Sequence, residues 1–287
     1  MFSIIIPTLN NINYLKLCLK SLKQNSKFNH QIIVHVNKGN DGTTNFLKNS
    51  NIEYTFTNYN SGICEGVNKA SKKSKFDYIL YAHDDFYFCP NWDKILLDEI
   101  KKIPDNKFYL SGIMMNNGPL KFDCGNNLDE FDENKLLDNF KNHNHYDFQG
   151  STWAPHLIHK DLWNKVGGFS EEFYPGTGSD PDLNMKLWLA GVRIFKGLNN
   201  CKVYHFGSIV TRRYKDHPTI KTESGNKGNK IFLLKWGISI KFFKKRYLRS
   251  DQPYLSKLED PKRDFSYYFF LFFDKLNYFY LKLFFKY

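Results

Sequence analysis

Cysteine is scarce in this chain and poorly placed for cross-links. The five residues Cys18, Cys64, Cys89, Cys124 and Cys201 are odd in number and show no C-x-x-C spacing. That pattern excludes a disulfide framework and a cysteine zinc site, and it points to a reducing compartment. Also missing is an uninterrupted apolar run of the ~20 residues that cross a bilayer. The opening MFSIIIPTLN has no basic segment before its short apolar run, so it reads as a first strand and not as a secretory signal. Where a nucleotidyltransferase would carry a Gly-rich, Arg- or Lys-bearing phosphate loop, this chain has PTLNN. Acidic residues are the minority, 29 against 41 Lys and Arg, giving a net charge of +12. Such a surface favours anionic ligands, nucleic acid or membrane headgroups. No nucleic-acid motif accompanies the charge, so nucleic acid is not an expected partner. Internal repeats and low-complexity linkers are absent too.

What is present begins with length: 287 residues can bury a substantial core. The first third alternates strand and helix patterns. Ser3 to Pro7 reads as a strand, and Leu15, Cys18, Leu19 and Leu22 recur at helical spacing. Strands at Gln31 to Val36, Ile52 to Thr57 and Tyr78 to Tyr81 alternate with helices near Thr44 to Asn49 and Cys64 to Lys75. This alternation indicates βαβ units and a mostly parallel sheet. In such sheets ligands bind beyond the carboxyl ends of the strands. PTLNN, NKGNDG, NYNSG and HDD all fall at those ends, so four loops converge on one crevice.

Two acidic clusters carry the chemistry. Asp84 and Asp85 follow the apolar run YILY, where a strand end would present them to a cleft as hard oxygen ligands for a divalent cation. Asp180 and Asp182 open a helical pattern that turns into a strand through Gly191, and carboxylates are favoured at such a start by the free N–H groups. Asp180 is expected as the N-cap, with Pro181 in the first turn, where its missing N–H costs nothing. The stretch from Asn116 to Lys135 reads as loop and turn.

Past His217 the composition changes. Phe232, Trp236, Ile240, Phe243 and Tyr247 recur at helical spacing among Lys241, Lys244, Lys245 and Arg249. The final FSYYFFLFFDKLNYFYLKLFFKY would present a broad aromatic face suited to a membrane interface, or else pack back on the domain or form a dimer contact.

Taken in order, SIIIPTLN, NKGNDGT, NYNSGICEGVNKA, YILYAHDD, GGFSEEFYPGTGSDPDLNMKLWLAGVRI and VYHFGS resemble the inverting glycosyltransferases of family two, from Phe2 to about Arg213. The resemblance implies an α/β GT-A fold with a mostly parallel central sheet flanked by helices. It also implies a transferase domain at 1–215, split into a nucleotide-binding half (1–107) and an acceptor half (108–215), with a helical extension at 216–287. Pro7, Thr8, Asn10, Asn37, Asp41, Asn60 and Asp84 would then contact the nucleotide, and Trp153 would line the donor-sugar pocket next to His156. Asn37 stands near the family's base-reading Asp, and its amide can donate as well as accept.

The family's metal motif is two Asp residues flanking a variable one. In HDD, His83 takes the first position, Asp84 the variable one, and Asp85 that of the ligand bridging metal and diphosphate; His205 matches a position that completes the site. His83 is open to three readings: a ligand, a residue replaced in that role by Asp84, or a hydrogen-bond donor to phosphate. As a ligand, its imidazole shifts preference from Mg2+ toward Mn2+. In SDPDL, Ser179 replaces the usual Glu and Asp180 matches the general base, with Asp182 in support. The implied donor is a nucleoside-diphosphate sugar, a UDP-sugar first, and the acceptor a hydroxyl of a glycan or glycolipid in surface polysaccharide assembly. The implied setting is cytoplasmic, on the inner face of a membrane with the tail near the lipid. The alternative is a catalytically decayed nucleotide-sugar-binding protein whose basic tail holds membrane or nucleic acid.

Overall fold

The computed structural model describes residues 1–207 and 223–284. The expected domain boundary at 215/216 and the end of the resemblance at Arg213 lie outside the described residues. Four strands, β1 (Ser3–Thr8), β2 (Gln31–Asn37), β3 (Glu53–Thr57) and β4 (Tyr78–Tyr81), pair in parallel in the order β3-β2-β1-β4. Ile4, Ile5 and Ile6 on β1 are all fully buried, because layers cover both faces of a parallel sheet. Among these layers are α1 (Ile12–Asn25), α2 (Thr43–Asn49) and α3 (Gly62–Ser71). Since the four strands run the same way, their carboxyl ends form one edge.

The second half extends the sheet beyond β4 through β5 (Phe86–Phe88), β6 (Phe108–Asn116), β7 (Phe148–Gln149), β8 (His156–His159) and β9 (Ile194–His205), with helices α4 (Trp92–Ile100) and α6 (Lys160–Val166) between them. Strand β8 runs antiparallel between β4 and β6 and joins the halves. Strand β9 runs parallel to β6, with a register shift at Gly112/Ile113. A side chain at Gly112 would meet the Cys201 carbonyl 2.8 Å away, so glycine lets the backbones approach at that bulge. Beyond it β9 also pairs antiparallel with β5 and sets His205 opposite Phe86.

Three expectations are corrected. Within the stretch read as loop, α5 (Glu133–Asn139) starts on Asp132, whose carboxylate accepts the Lys135 N–H at 2.8 Å. Helix α7 (Ser179–Leu189) is capped by Gly178 at φ +86°, so Asp180 lies inside the first turn and is not the N-cap. The Phe232–Tyr247 periodicity is not one helix. Helix α8 (Glu223–Trp236) stops at Gly237, φ +69°, and the chain resumes as α9 (Ile240–Phe243) and a π-turn over Lys244–Leu248. A left-handed residue ends a helix this way at low cost when it is glycine. Phe232, Phe243 and Leu248 are fully buried in the main core. Each such apolar side chain contributes about 1.5–3 kcal/mol.

The chain then adds β10 (Gln252–Pro253) to β7 and ends in α10 (Phe265–Phe284). Tyr267, Leu271, Asp274, Tyr278 and Leu281 form a narrow stripe of reduced exposure, and the helix packs against α8. Most other aromatics of α10 face out, Phe265 at 84% and Phe272 and Phe279 at 59% exposure. Among the described residues no helix is long and apolar enough to cross a membrane. All five cysteines are free and buried.

Candidate active site

The loops at the carboxyl edge are tied to one another. Asn10, at φ +47°, accepts the Asn40 N–H through its Oδ1 at 2.7 Å. Asp41 Oδ2 accepts the first N–H of α1, from Ile12, at 2.9 Å, while its Oδ1 accepts from the Thr43 hydroxyl at 2.6 Å. Asn37 Oδ1 accepts from both the N–H and the hydroxyl of Ser61, at 3.0 and 2.6 Å. Asn60 Oδ1 accepts the Gly62 N–H that opens α3. The structure thus gives Asn10, Asn37, Asp41 and Asn60 a shared task, holding the crevice in shape. Pro7 is buried within β1.

Beneath these loops lies a residue that the sequence reading passed over. His35 is fully buried on β2, with Nδ1 2.8 Å from the Thr55 hydroxyl and Nε2 3.1 Å from that of Ser61. Burial, with the Lys69 charge adding to it, lowers its pKa to about 4, so the ring is neutral. Gly66 on α3 leaves room for it, since a Cβ there would sit 2.5 Å from the ring. The available signal was a polar ring in the middle of the apolar run IIVHV.

At the end of β4 the acidic pair divides. Asp84 turns toward β1, where Thr8 Oγ1 donates to its Oδ2 at 2.6 Å and the Asn11 side chain bonds it as well. Burial and the neighbouring Asp85 charge raise its pKa against those donors. Asp85 turns the other way, toward His205, whose Nε2 lies 3.5 Å from Asp85 Oδ2. His205 Nδ1 is 3.0 Å from the Asn117 carbonyl, which can only accept, so Nδ1 carries a proton while Nε2 is directed at Asp85. His83 stacks on Phe86 at 4.7 Å, and its ring centre is 5.9 Å from that of His205. Desolvation, partly offset by Asp85, lowers its pKa to about 4. One donor atom from each of His83, Asp85 and His205 lies within 4.8 Å of the others. Two imidazoles and a carboxylate are a fitting donor set for a transition-metal cation.

Facing this cluster is the first turn of α7. Asp180 Oδ1 is buried, while 28% of the side chain stays exposed. Desolvation pushes its pKa up to about 7, a rise that the solvent-facing part tempers. Tyr81 is buried, its ring 5.4 Å from that of His83 and 5.1 Å from that of His156, whose Nδ1 lies 3.8 Å from Asp180 Oδ1. Asp182, two residues on, is fully buried, and its role is visible in its partners. It accepts from Ser170 at 2.6 Å and from Trp236 Nε1 at 2.9 Å, and pairs with Lys235 at 3.0 Å. Two residues of α8 therefore hold the helix that carries Asp180. Trp153 is half-buried, its Nε1 donating to the Gly112 carbonyl at 2.9 Å.

A parallel βαβ half whose strand ends form a crevice, joined through β8 to a mixed half, is a GT-A-type fold. Residues 3–154, more than half of the chain, match Glycosyl transferase family 2, and the chain belongs to that family. Among solved structures it is similar to S. aureus TarS, at 16% identity and a TM-score of 0.53, over 80% of this chain and 42% of that one. It is also similar to TarS 1-349 in complex with UDP, at 17% identity and TM-score 0.55, with 80% and 69% covered. For TarS 1-349 in complex with UDP-GlcNAc the values are 16%, 0.56, 82% and 66%. The chain thus spans less than half of the longer TarS chain. No curated protein matches it.

Proposed function

We propose that this chain is a metal-dependent inverting glycosyltransferase that moves a sugar from a nucleoside diphosphate, UDP first, to a hydroxyl of a glycan or glycolipid in surface polysaccharide assembly. The observation that carries the reading is that one ring, Tyr81, lies 5.4 Å from that of His83 in the His83–Asp85–His205 cluster and 5.1 Å from that of His156, whose Nδ1 is 3.8 Å from Asp180 Oδ1. The catalytic unit would be residues 1–215, with 216–287 as its extension. Asp85, His83 and His205 would hold the cation, and imidazole ligation favours manganese over magnesium. Bound there, a divalent cation supplies positive charge beside the leaving diphosphate.

The chain's own residues do the rest. The tied loops of Thr8, Asn10, Asn37, Asp41 and Asn60 shape the nucleotide crevice, Asp84 anchors its floor through Thr8, and Trp153 borders the sugar side. Asp180 takes the acceptor's proton as the acceptor oxygen bonds to the anomeric carbon. The anomeric C–O bond breaks, and its electron pair leaves with the diphosphate. Burial of its Oδ1 raises the Asp180 pKa to about 7, matched to neutral conditions, where a general base works best.

Thermal denaturation with UDP, GDP, CDP or dTDP, each with Mn2+ or Mg2+, tests the reading. A nucleotide at a hundred times its dissociation constant adds about 2.7 kcal/mol to folded-state stability. A rise in midpoint with UDP that requires Mn2+ is expected. No shift with any nucleotide returns the chain to the decayed-site alternative.

The setting we infer is the cytoplasmic face of a membrane, with α10 in the lipid interface. Its exposed Phe269, Phe272 and Phe273 lie on the same tail as Lys245 and Arg246, both of which reach the Phe270 ring. Buried aromatics plus attraction to anionic headgroups hold such helices. The full chain is expected to sediment with vesicles containing phosphatidylglycerol and the Phe269→Ser/Phe272→Ser/Phe273→Ser chain to stay in solution; equal sedimentation removes α10 as the anchor.

A further inference from the structure

Asp180 Oδ1 has no hydrogen-bond partner among the described residues, although it is buried. His156 Nδ1 lies 3.8 Å from it. The same nitrogen is 2.9 Å from the Tyr109 hydroxyl, which in turn donates to the Trp153 carbonyl at 3.2 Å. A hydroxyl has one proton, so the Tyr109 oxygen accepts from His156 and the imidazole proton sits on Nδ1. His156 is 1% exposed, packed between the Tyr81 and Tyr109 rings, and desolvation lowers its pKa to about 3; it carries that single proton and no charge. The result is a hydrogen-bonded chain, Trp153 carbonyl to Tyr109 to His156, whose last N–H stops about 1 Å short of bonding distance to the carboxylate of Asp180.

We propose that His156 is a positioning residue for Asp180: its Nδ1–H, shared with the Tyr109 oxygen, bonds Oδ1 of the ionised carboxylate and turns the other oxygen toward the acceptor hydroxyl. The proposal rests on Asp180 being the base and deepens that reading. Among the described residues the other titratable groups facing Asp180 are Cys64 from α3, Tyr81 from β4 and Tyr109 from β6, and burial keeps all three protonated. None of them brings a charge. His156 therefore tunes the base through a hydrogen bond. Tyr109 competes for the same proton and weakens that bond.

The competition gives the two variants opposite signs. His156→Phe removes the donor from the ionised form, so the Asp180 pKa rises by about one pH unit, since a hydrogen bond to a charged group favours that form. Tyr109→Phe leaves the N–H to Asp180 alone, and the pKa falls. His156→Asn keeps a donor near Nδ1 and is expected to restore the wild-type value. The measurement is a 13C NMR titration of the Asp carboxyl groups in the full chain, with Asp180→Asn identifying the signal; the acid limb of kcat should move with it. Opposite shifts support the assignment. A His156→Phe value within about 0.3 pH units of wild type, or shifts of the same sign in the two variants, overturns it. Tyr109→Phe alone carries the test if His156→Phe does not fold, because a rise or no change there also overturns it. The titration reads Asp180 whether or not the protein turns over, so loss of the base assignment, seen as Asp180→Asn retaining activity, is a separate result.

Discussion

Asp180→Asn is expected to reduce kcat by about 10³-fold while donor affinity stays near wild type. A positioned general base contributes about 10²- to 10⁴-fold, and an amide has the shape of the carboxyl without its proton affinity. Nucleoside diphosphate release with acceptor present reads the first quantity, and calorimetric titration with UDP and Mn2+ the second. The pH profile adds a sign. The base works only when ionised, so kcat should climb with pH through an acid limb near 7, where desolvation places the Asp180 pKa. Turnover of the Asn variant within threefold of wild type would move the base role to another group.

The second large effect is at the cation. Asp85→Asn leaves two imidazoles without their carboxylate, and a cation contributes several kcal/mol of charge stabilisation to a departing phosphate. About a thousandfold loss of Mn2+-supported turnover is expected, since each 1.36 kcal/mol is a factor of ten. His83→Asp probes ligand type at the same place. A second carboxylate is a harder ligand, so Mg2+-supported turnover should rise by about tenfold relative to Mn2+. An Asp85→Asn protein with an unchanged metal response would mean that His83 and His205 do not share a cation with it.

Much of the first half was legible because its signals are local. IIIP, QIIVHV and YILY carry their burial in their own side chains, and the helices between them show their spacing directly. The loops at the strand ends could be located from sequence, but what their side chains hold could not. Asn37 bonds Ser61, Asp41 caps α1, and Thr8 bonds Asp84 across 76 positions. Those partners exist only once the sheet order is fixed. The start of α7 was misread by two residues because Asp and Pro are strong local signals, whereas Gly178 caps through a left-handed backbone that leaves no side-chain trace. The tail misled for a similar reason. Its apolar spacing continues across Gly237, but the chain bends there to return Phe243 to the core.

That tail is pinned along its length. Leu258 donates its N–H to the Arg193 carbonyl at 2.7 Å, and Arg193 pairs with Asp260 at 3.0 Å. Asp274 of α10 accepts the Ser239 N–H, and α8 holds Asp182, two residues from Asp180. A helix of 20 residues, about 30 Å long, is thus connected through α8 to α7. With α10 lying on a lipid surface, the cleft would stand at one height and one tilt above the headgroups. Such an enzyme is a ruler: it would glycosylate hydroxyls carried at that distance from the bilayer and pass over the same hydroxyl on a longer or shorter stem.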